Sequence, residues 1–281
     1  MLALFSQVFA ALTFVVLGDA AGKTLTGLGF SPFFVAWTRF ALAAIVLLPL
    51  SGLKRSELRH LADWRILLRA GLIAGGICSI LTALRTEPIA NVFGAFFIGP
   101  GVSYLLSILL LGERVTPLRS ILLALGFVGV LLVVKPGFGA TPGIGFAVLA
   151  GVFYGSYLTA TRWLAVSYRP RFLLLSQLMI GGLLLAPLGL TTQIPSISPT
   201  ALWLITGSAL GSAAGNFILV MVNRTTPASL VAPLVYTQLI AATAVGYLIF
   251  GDWPDLVSFA GLAIILISGL LSLRAAFKSQ A

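Results

Sequence analysis

The chain is 281 residues long, 59% hydrophobic and 9% charged, against about 25% charged in an ordinary soluble domain. Seven acidic and seventeen basic side chains cannot coat a water-soluble globule of this length, which excludes a soluble fold and turns the apolar surface toward lipid. A net charge of +10 would suggest nucleic acid in a soluble protein; here its meaning depends on where the charges fall.

A membrane-crossing helix needs about 20 apolar residues. Charges and Pro/Gly punctuation divide the chain into ten such runs: 3–21, 31–50, 66–84, 88–111, 116–134, 143–164, 171–190, 200–221, 227–250 and 254–273. None alternates as a barrel strand would, and open backbone polar groups are not tolerated in lipid, so the runs are read as helices. The first run has no Lys or Arg before Lys23 and is too long for a signal-peptide core, so it is expected to be retained. The longest polar connection, 51–65, is a loop, and no segment is left for a soluble domain. Ten spans put both termini on one side. If that side is the cytoplasm, it collects Lys54, Arg55, Arg59, Arg65, Arg69, Arg114, Arg119, Arg162, Arg169, Arg171, Arg224, Arg274 and Lys278, while the outside receives Lys23, Arg85 and Lys135. That asymmetry predicts cytoplasmic termini.

The second half repeats the first 138 or 139 positions further on. Arg85-Thr86-Glu87-Pro88 recurs as Arg224-Thr225-Thr226-Pro227, Gly112-Glu113 as Gly251-Asp252, and Pro32, Phe34, Pro49 and Leu50 meet Pro170, Phe172, Pro187 and Leu188. The halves are taken as 1–137 and 138–281. Each holds five spans, and an odd number inverts the second copy in the membrane, an arrangement that places a substrate site near the midplane between the halves. The expected fold is therefore an all-α integral membrane protein of ten transmembrane helices in two inverted five-helix repeats.

These repeats, the short hairpin with its proline between spans 3 and 4, and Leu111-Gly112-Glu113 at the end of span 4 resemble the EamA repeat of the drug/metabolite transporter superfamily. The second-repeat Gly251-Asp252 departs from Gly-Glu. Length and span number are similar to bacterial amino-acid exporters of the YddG type. That resemblance implies export of neutral or aromatic amino acids across a bacterial cytoplasmic (inner) membrane.

Few ionisable groups lie inside the spans, where they are costly and point to function. Arg39 lies well inside span 2 and needs a partner or a water-filled cavity. Asp19, near the outer end of span 1, is placed to pair with Lys23 or Arg39; the alternative is an interfacial Asp and a snorkelling Arg. Glu87, Glu113, Asp252 and Asp255 at span ends read as solvated anchors. No buried acidic group is visible at midplane for a proton relay, so transport is downhill or uses an unrecognised coupling group. Small-xxx-small glycines (Gly18/Gly22, Gly71/Gly75, Gly151/Gly155, Gly207/Gly211/Gly215) allow close helix approach, static or sliding.

Spans 5 and 10 are almost purely aliphatic and read as lipid-facing supports, which leaves spans 1, 3, 4, 6, 8 and 9 to line the centre, as the resemblance also implies. The candidate substrate-binding residues are Cys78, Ser79, Thr82, Phe97, Pro100, Tyr157, Asn216, Tyr236 and Gln238. Pro100 and Pro233 free backbone carbonyls that can face a cavity. Such carbonyls, with the amides and Tyr hydroxyls, would hold a substrate's polar end, and aromatic faces its apolar end or its cation. Each residue also has a plainer reading as an interhelical hydrogen bond or packed ring.

Rival classes lack their residues. HExxH is absent and the only histidine is His60. Gly18-Asp19 resembles part of the Gly-x-Gly-Asp of intramembrane aspartic proteases, but Val16 stands at the first glycine and no second buried Asp completes a dyad. A serine protease lacks an intramembrane base, and a channel lacks a carbonyl filter or charge ring. With one cysteine, no intramolecular disulfide forms, and neither metal nor cofactor is expected. The expectation is an exporter of small amphipathic metabolites working by alternating access in the bilayer, with no nucleic-acid partner; its oligomeric state is left open, and a monomer is compatible with the sequence. Import, or proton-coupled drug or metabolite antiport, is the alternative.

Overall fold

The structure is a computed structural model and describes residues 2–112, 117–134, 141–165, 167–225 and 234–278. Glu113, Arg114, Lys135, Thr226, Pro227, Pro233 and the 137/138 boundary lie outside the described residues. The spans are helices α1 (Leu2–Gly27), α2 (Pro32–Leu47), α3 (Trp64–Leu84), α4 (Ile89–Leu111), α5 (Pro117–Val134), α6 (Pro142–Ala165), α7 (Pro170–Leu190), α8 (Pro199–Thr225), α9 (Gln238–Phe250) and α10 (Leu256–Lys278). Among the described residues, six helices are long and apolar enough to cross a membrane, and four shorter apolar helices fall in α2, α5, α9 and α10.

Local chemistry sets the helix ends. Proline opens α2, α5, α6, α7 and α8, where the first turn has no use for an N–H. Ser31 caps α2 by accepting from the Phe33 amide, and Asp63 caps α3 by accepting from that of Arg65. Asp255 takes the amides of Val257 and Ser258 at the start of α10. At the far ends of α4 and α9, Gly112 and Gly251 stop the helix in the left-handed region, with φ of 65° and 69°. The glycine of the repeated Gly-Glu/Gly-Asp motif is thus a helix stop that a side chain would strain.

Helix packing obeys the repeat. Under the exchange of α1 with α6, α2 with α7, α3 with α8, α4 with α9 and α5 with α10, the α1·α8 contact maps onto α6·α3, α4·α6 onto α9·α1, and α2·α7 and α5·α10 onto themselves. All of these pairs are in contact. The chain is two inverted repeats about a pseudo-twofold axis, interleaved rather than side by side. Phe97 and Tyr236, equivalent at the 139-residue offset, stack with centroids 5.1 Å apart.

Lipid supplies little hydrophobic force between helices, so close packing must hold them. Gly215 sets its Cα against the Ala11 carbonyl of α1, and Gly151 and Gly155 of α6 lie against the carbonyls of Phe96 and Gly99 in α4. Gly129 and Gly261 meet where α5 crosses α10. That pair is peripheral: Leu122 and Ile265 are buried at the crossing, while Ile121, Phe127, Leu256 and Phe259 are exposed to lipid.

Candidate functional site

The two repeats are tied together in layers from one membrane face to the other. On the face of the α3–α4 turn, Lys23 bonds Asp252 at 3.0 Å and the Glu87 carbonyl at 2.8 Å, and lies over the Phe250 ring. Beside it, Glu87 accepts from Thr141. On the opposite face, Arg169 holds Glu57 by two hydrogen bonds of 2.6 and 2.7 Å, and Tyr168 donates to Asp63 at 2.9 Å. Glu57 and Asp63 lie outside the membrane. The Arg169 hydrogen bond holds the Glu57 carboxyl below the usual carboxylate range, and the Arg65 amide with the Tyr168 hydroxyl does so for Asp63.

Inside these lids lie two buried polar clusters, one in each half of the membrane. In the first, the Arg39 guanidinium of α2 donates to Asp19 at 2.5 Å, to the Gly18 carbonyl at 2.5 Å and to Ser208 of α8 at 2.7 Å. Ser208 also donates to the Gly18 carbonyl, at 2.8 Å. Gly22 makes room, since a Cβ there would stand 2.8 Å from the guanidinium. In the second cluster, Arg69 of α3 donates to Thr161 at 2.8 Å, to the Leu173 carbonyl at 2.8 Å and to the Tyr157 hydroxyl at 2.9 Å; Tyr157 in turn donates to Gln177 of α7 at 2.8 Å. Arg69 also lies over the Tyr157 ring and is fully buried.

The clusters are equivalents. At the offsets that align the repeats, Asp19 corresponds to Tyr157, Arg39 to Gln177 and Ser208 to Arg69. Each joins two helices of one repeat to one helix of the other. They differ in charge: Asp19 neutralises Arg39, whereas no carboxylate touches Arg69 among the described residues.

Between the clusters is a cavity of about 20 Å³, lined by Arg39, Phe40, Ile77, Gln177, Ser212 and Asn216 among others. That volume suits about one water molecule. Both faces carry the inter-repeat ion pairs described above, and a metabolite fits this space only after the helices part.

The candidates read from sequence distribute unevenly around this centre. Arg39 and Asn216 line the cavity, and the Asn216 amide donates to the Ser212 carbonyl at 2.8 Å. Asp19 pairs with Arg39, not with Lys23. Tyr157 bridges Arg69 to Gln177, one residue away from the cavity wall. Phe97 and Tyr236 belong to a run of rings, Tyr236–Phe97–Phe96–Tyr154–Tyr157, with neighbouring centroids 4.9–6.0 Å apart. Tyr236 is wedged against Gly269 of α10, so the aliphatic pair supports the ring run. Cys78, Ser79 and Thr82 are not cavity-lining, and the Thr82 hydroxyl bonds back to the Cys78 carbonyl. Gln238 is buried and makes no side-chain hydrogen bond among the described residues. Pro100 breaks α4 at Phe97, but the freed Phe96 carbonyl packs on Gly151 instead of a cavity.

Sequence reasoning missed Arg69, Gln177 and Ser208. Sequence position groups Arg69 with the basic loop, because an arginine near a span end ordinarily snorkels to the interface. The repeat offset carried the signal: it maps the singled-out Asp19 and Arg39 onto Tyr157 and Gln177.

An inverted-repeat helical membrane protein with its polar groups gathered between the repeats has the architecture of a secondary transporter. The chain belongs to the EamA-like transporter family, whose model matches residues 1–135 and again 141–274. It is similar to a riboflavin transporter of Rhizobium johnstonii, 28% identical over 95% of this chain and 89% of the relative. An S-adenosylmethionine uptake transporter of Rickettsia prowazekii is 25% identical over 94% of this chain and 90% of the relative. A solved crystal structure shares the fold over 98% of this chain and 99% of its own, with TM-score 0.68 at 19% identity. The protein is a multi-pass transporter of the drug/metabolite transporter superfamily.

Proposed function

We propose that this transporter moves small amphipathic metabolites, neutral or aromatic amino acids among them, by alternating access through the cavity between its repeats, and that 1–137 and 138–281 are the two moving units. One observation carries the reading: two equivalent inter-repeat clusters, Asp19/Arg39/Ser208 and Arg69/Tyr157/Gln177, flank the same small cavity from opposite sides. Opening one while the other stays closed exposes the cavity to one side at a time. Arg39, Gln177 and Asn216 then offer the polar contacts, and the ring run from Tyr236 to Tyr157 an apolar wall. Cys78, Ser79, Thr82, Pro100 and Gln238 come into reach as α3, α4 and α9 separate.

The resemblance to amino-acid exporters supports outward transport across a bacterial inner membrane, with cytoplasmic termini as the basic residues suggest. A second reading, uptake, is supported by the relative named for S-adenosylmethionine uptake, whose cargo carries an amino-acid end. Purified protein in liposomes, offered radiolabelled amino acids, S-adenosylmethionine and riboflavin with and without a pH gradient, tests both. Amino-acid flux supports the first reading and flux of S-adenosylmethionine alone the second; no flux of any solute refutes the cavity as a transport site. Flux that follows the pH gradient overturns downhill transport. Asn216→Ala is expected to raise the half-saturating concentration several-fold.

A further inference from the structure

We infer that Arg69 is the carboxylate-binding residue of this carrier: when the Arg69/Tyr157/Gln177 cluster loosens, its guanidinium turns to the cavity and takes the anionic end of the substrate. The inference rests on the cavity being the transport site.

Three observations carry it. Arg69 is fully buried in α3, yet among the described residues its guanidinium donates only to a Thr hydroxyl, a Tyr hydroxyl and a backbone carbonyl. Three of its five N–H groups are used, so one on each terminal nitrogen is left to offer a two-pronged contact, the geometry that suits a carboxylate. A buried charge without a counter-charge is costly in a membrane and marks a functional group.

The second observation is internal. In the equivalent cluster the protein supplies the missing charge, because Asp19 stands where the second cluster has Tyr157. The Arg39 cluster is thus self-neutralised and can close empty, whereas the Arg69 cluster closes with no carboxylate against its positive charge among the described residues. A substrate carboxylate fills the role that Asp19 plays on the other side.

Third, Arg69 is connected to the cavity. Its partner Tyr157 bonds Gln177, and Gln177 is part of the cavity wall. Displacing one amide and one phenol brings the guanidinium into line with the space where Arg39 and Asn216 already lie. Tyr157 would keep its ring against the guanidinium as a cation–π platform while the free edge faces the ligand.

The test compares matched solutes in liposomes carrying the full chain: L-phenylalanine and L-phenylalaninamide, S-adenosylmethionine and its methyl ester, and riboflavin. The wild type is expected to carry at least one of the two carboxylates, and to prefer L-phenylalanine over its amide, or S-adenosylmethionine over its methyl ester, by at least about tenfold, the scale of one charge-assisted contact. Arg69→Gln should reduce that preference to near unity, and Arg69→Lys should restore part of it. A purely structural arginine would lower flux of all solutes together and leave the preference unchanged. Equal handling of acid and amide by the wild type overturns the inference without any variant, so a misfolded Arg69→Gln does not shield it. Transport of riboflavin alone overturns it too, while absence of all flux refutes the cavity reading beneath it.

Discussion

Two arginines sit in the low-dielectric interior in different electrostatic situations. Arg39 is held by Asp19 with both side chains almost fully buried, an ion pair whose attraction must offset the desolvation of both groups. Removing one partner is the severe change. Arg39→Met strands a buried carboxylate and is expected to cost about 3–5 kcal/mol, read as a lower thermal midpoint in detergent, while Asp19→Leu with Arg39→Met should recover most of that loss. Outside the membrane the carboxylates are milder. Glu57 and Asp63 have lowered pKa values, so the stability they give the closed face is present above the ordinary carboxylate value of about 4 and disappears as pH falls through their lowered values. Distances between spin labels at Ser56→Cys and Ser167→Cys should therefore stay constant from about pH 5 to 8 and lengthen only below about pH 4.

Among the helices, glycine spacing was legible and its use was not. Gly71 and Gly155 belong to the same sequence pattern, yet a Cβ at Gly71 meets nothing within 4 Å and one at Gly155 would stand against the Gly99 carbonyl. Gly71→Ala is expected to stabilise by about 0.5–1 kcal/mol through backbone entropy. Gly155→Ala should destabilise by about 1–3 kcal/mol, because backbone cannot yield as a side chain can. Paired unfolding measurements that moved both variants in the same direction would contradict the α4·α6 crossing. Pro100 shows the same division. Its break in α4 follows from the missing N–H, but whether the freed carbonyl meets a cavity or a glycine depends on the neighbouring helix.

For the molecule as a unit, both faces are tied across the repeats at once, by Lys23–Asp252 on one and Glu57–Arg169 on the other. A carrier must release one of them in each half-cycle. In a Cys78→Ala background, bridging Lys23→Cys to Asp252→Cys with a short cleavable thiol cross-linker is expected to abolish flux in liposomes, as is bridging Glu57→Cys to Arg169→Cys. Reductive cleavage should restore flux in each case, and undiminished flux through a fully cross-linked sample would refute the two-gate cycle.

Composition and the 138–139 offset were enough for a membrane protein of ten helices in two inverted copies, because lipid leaves the backbone few choices and an odd helix count fixes the inversion. They also marked Asp19, Arg39 and Asn216 as rare polar groups in apolar runs. Partnership is different in kind. That Arg39 meets Ser208, 169 residues away, or that Arg69 meets Tyr157 across 88, depends on which faces of helices from opposite repeats are pressed together. Span hydropathy is nearly indifferent to helix rotation, so it cannot tell a snorkelling arginine from a buried one. Packing between the repeats settles that choice, and with it which polar residues form a site.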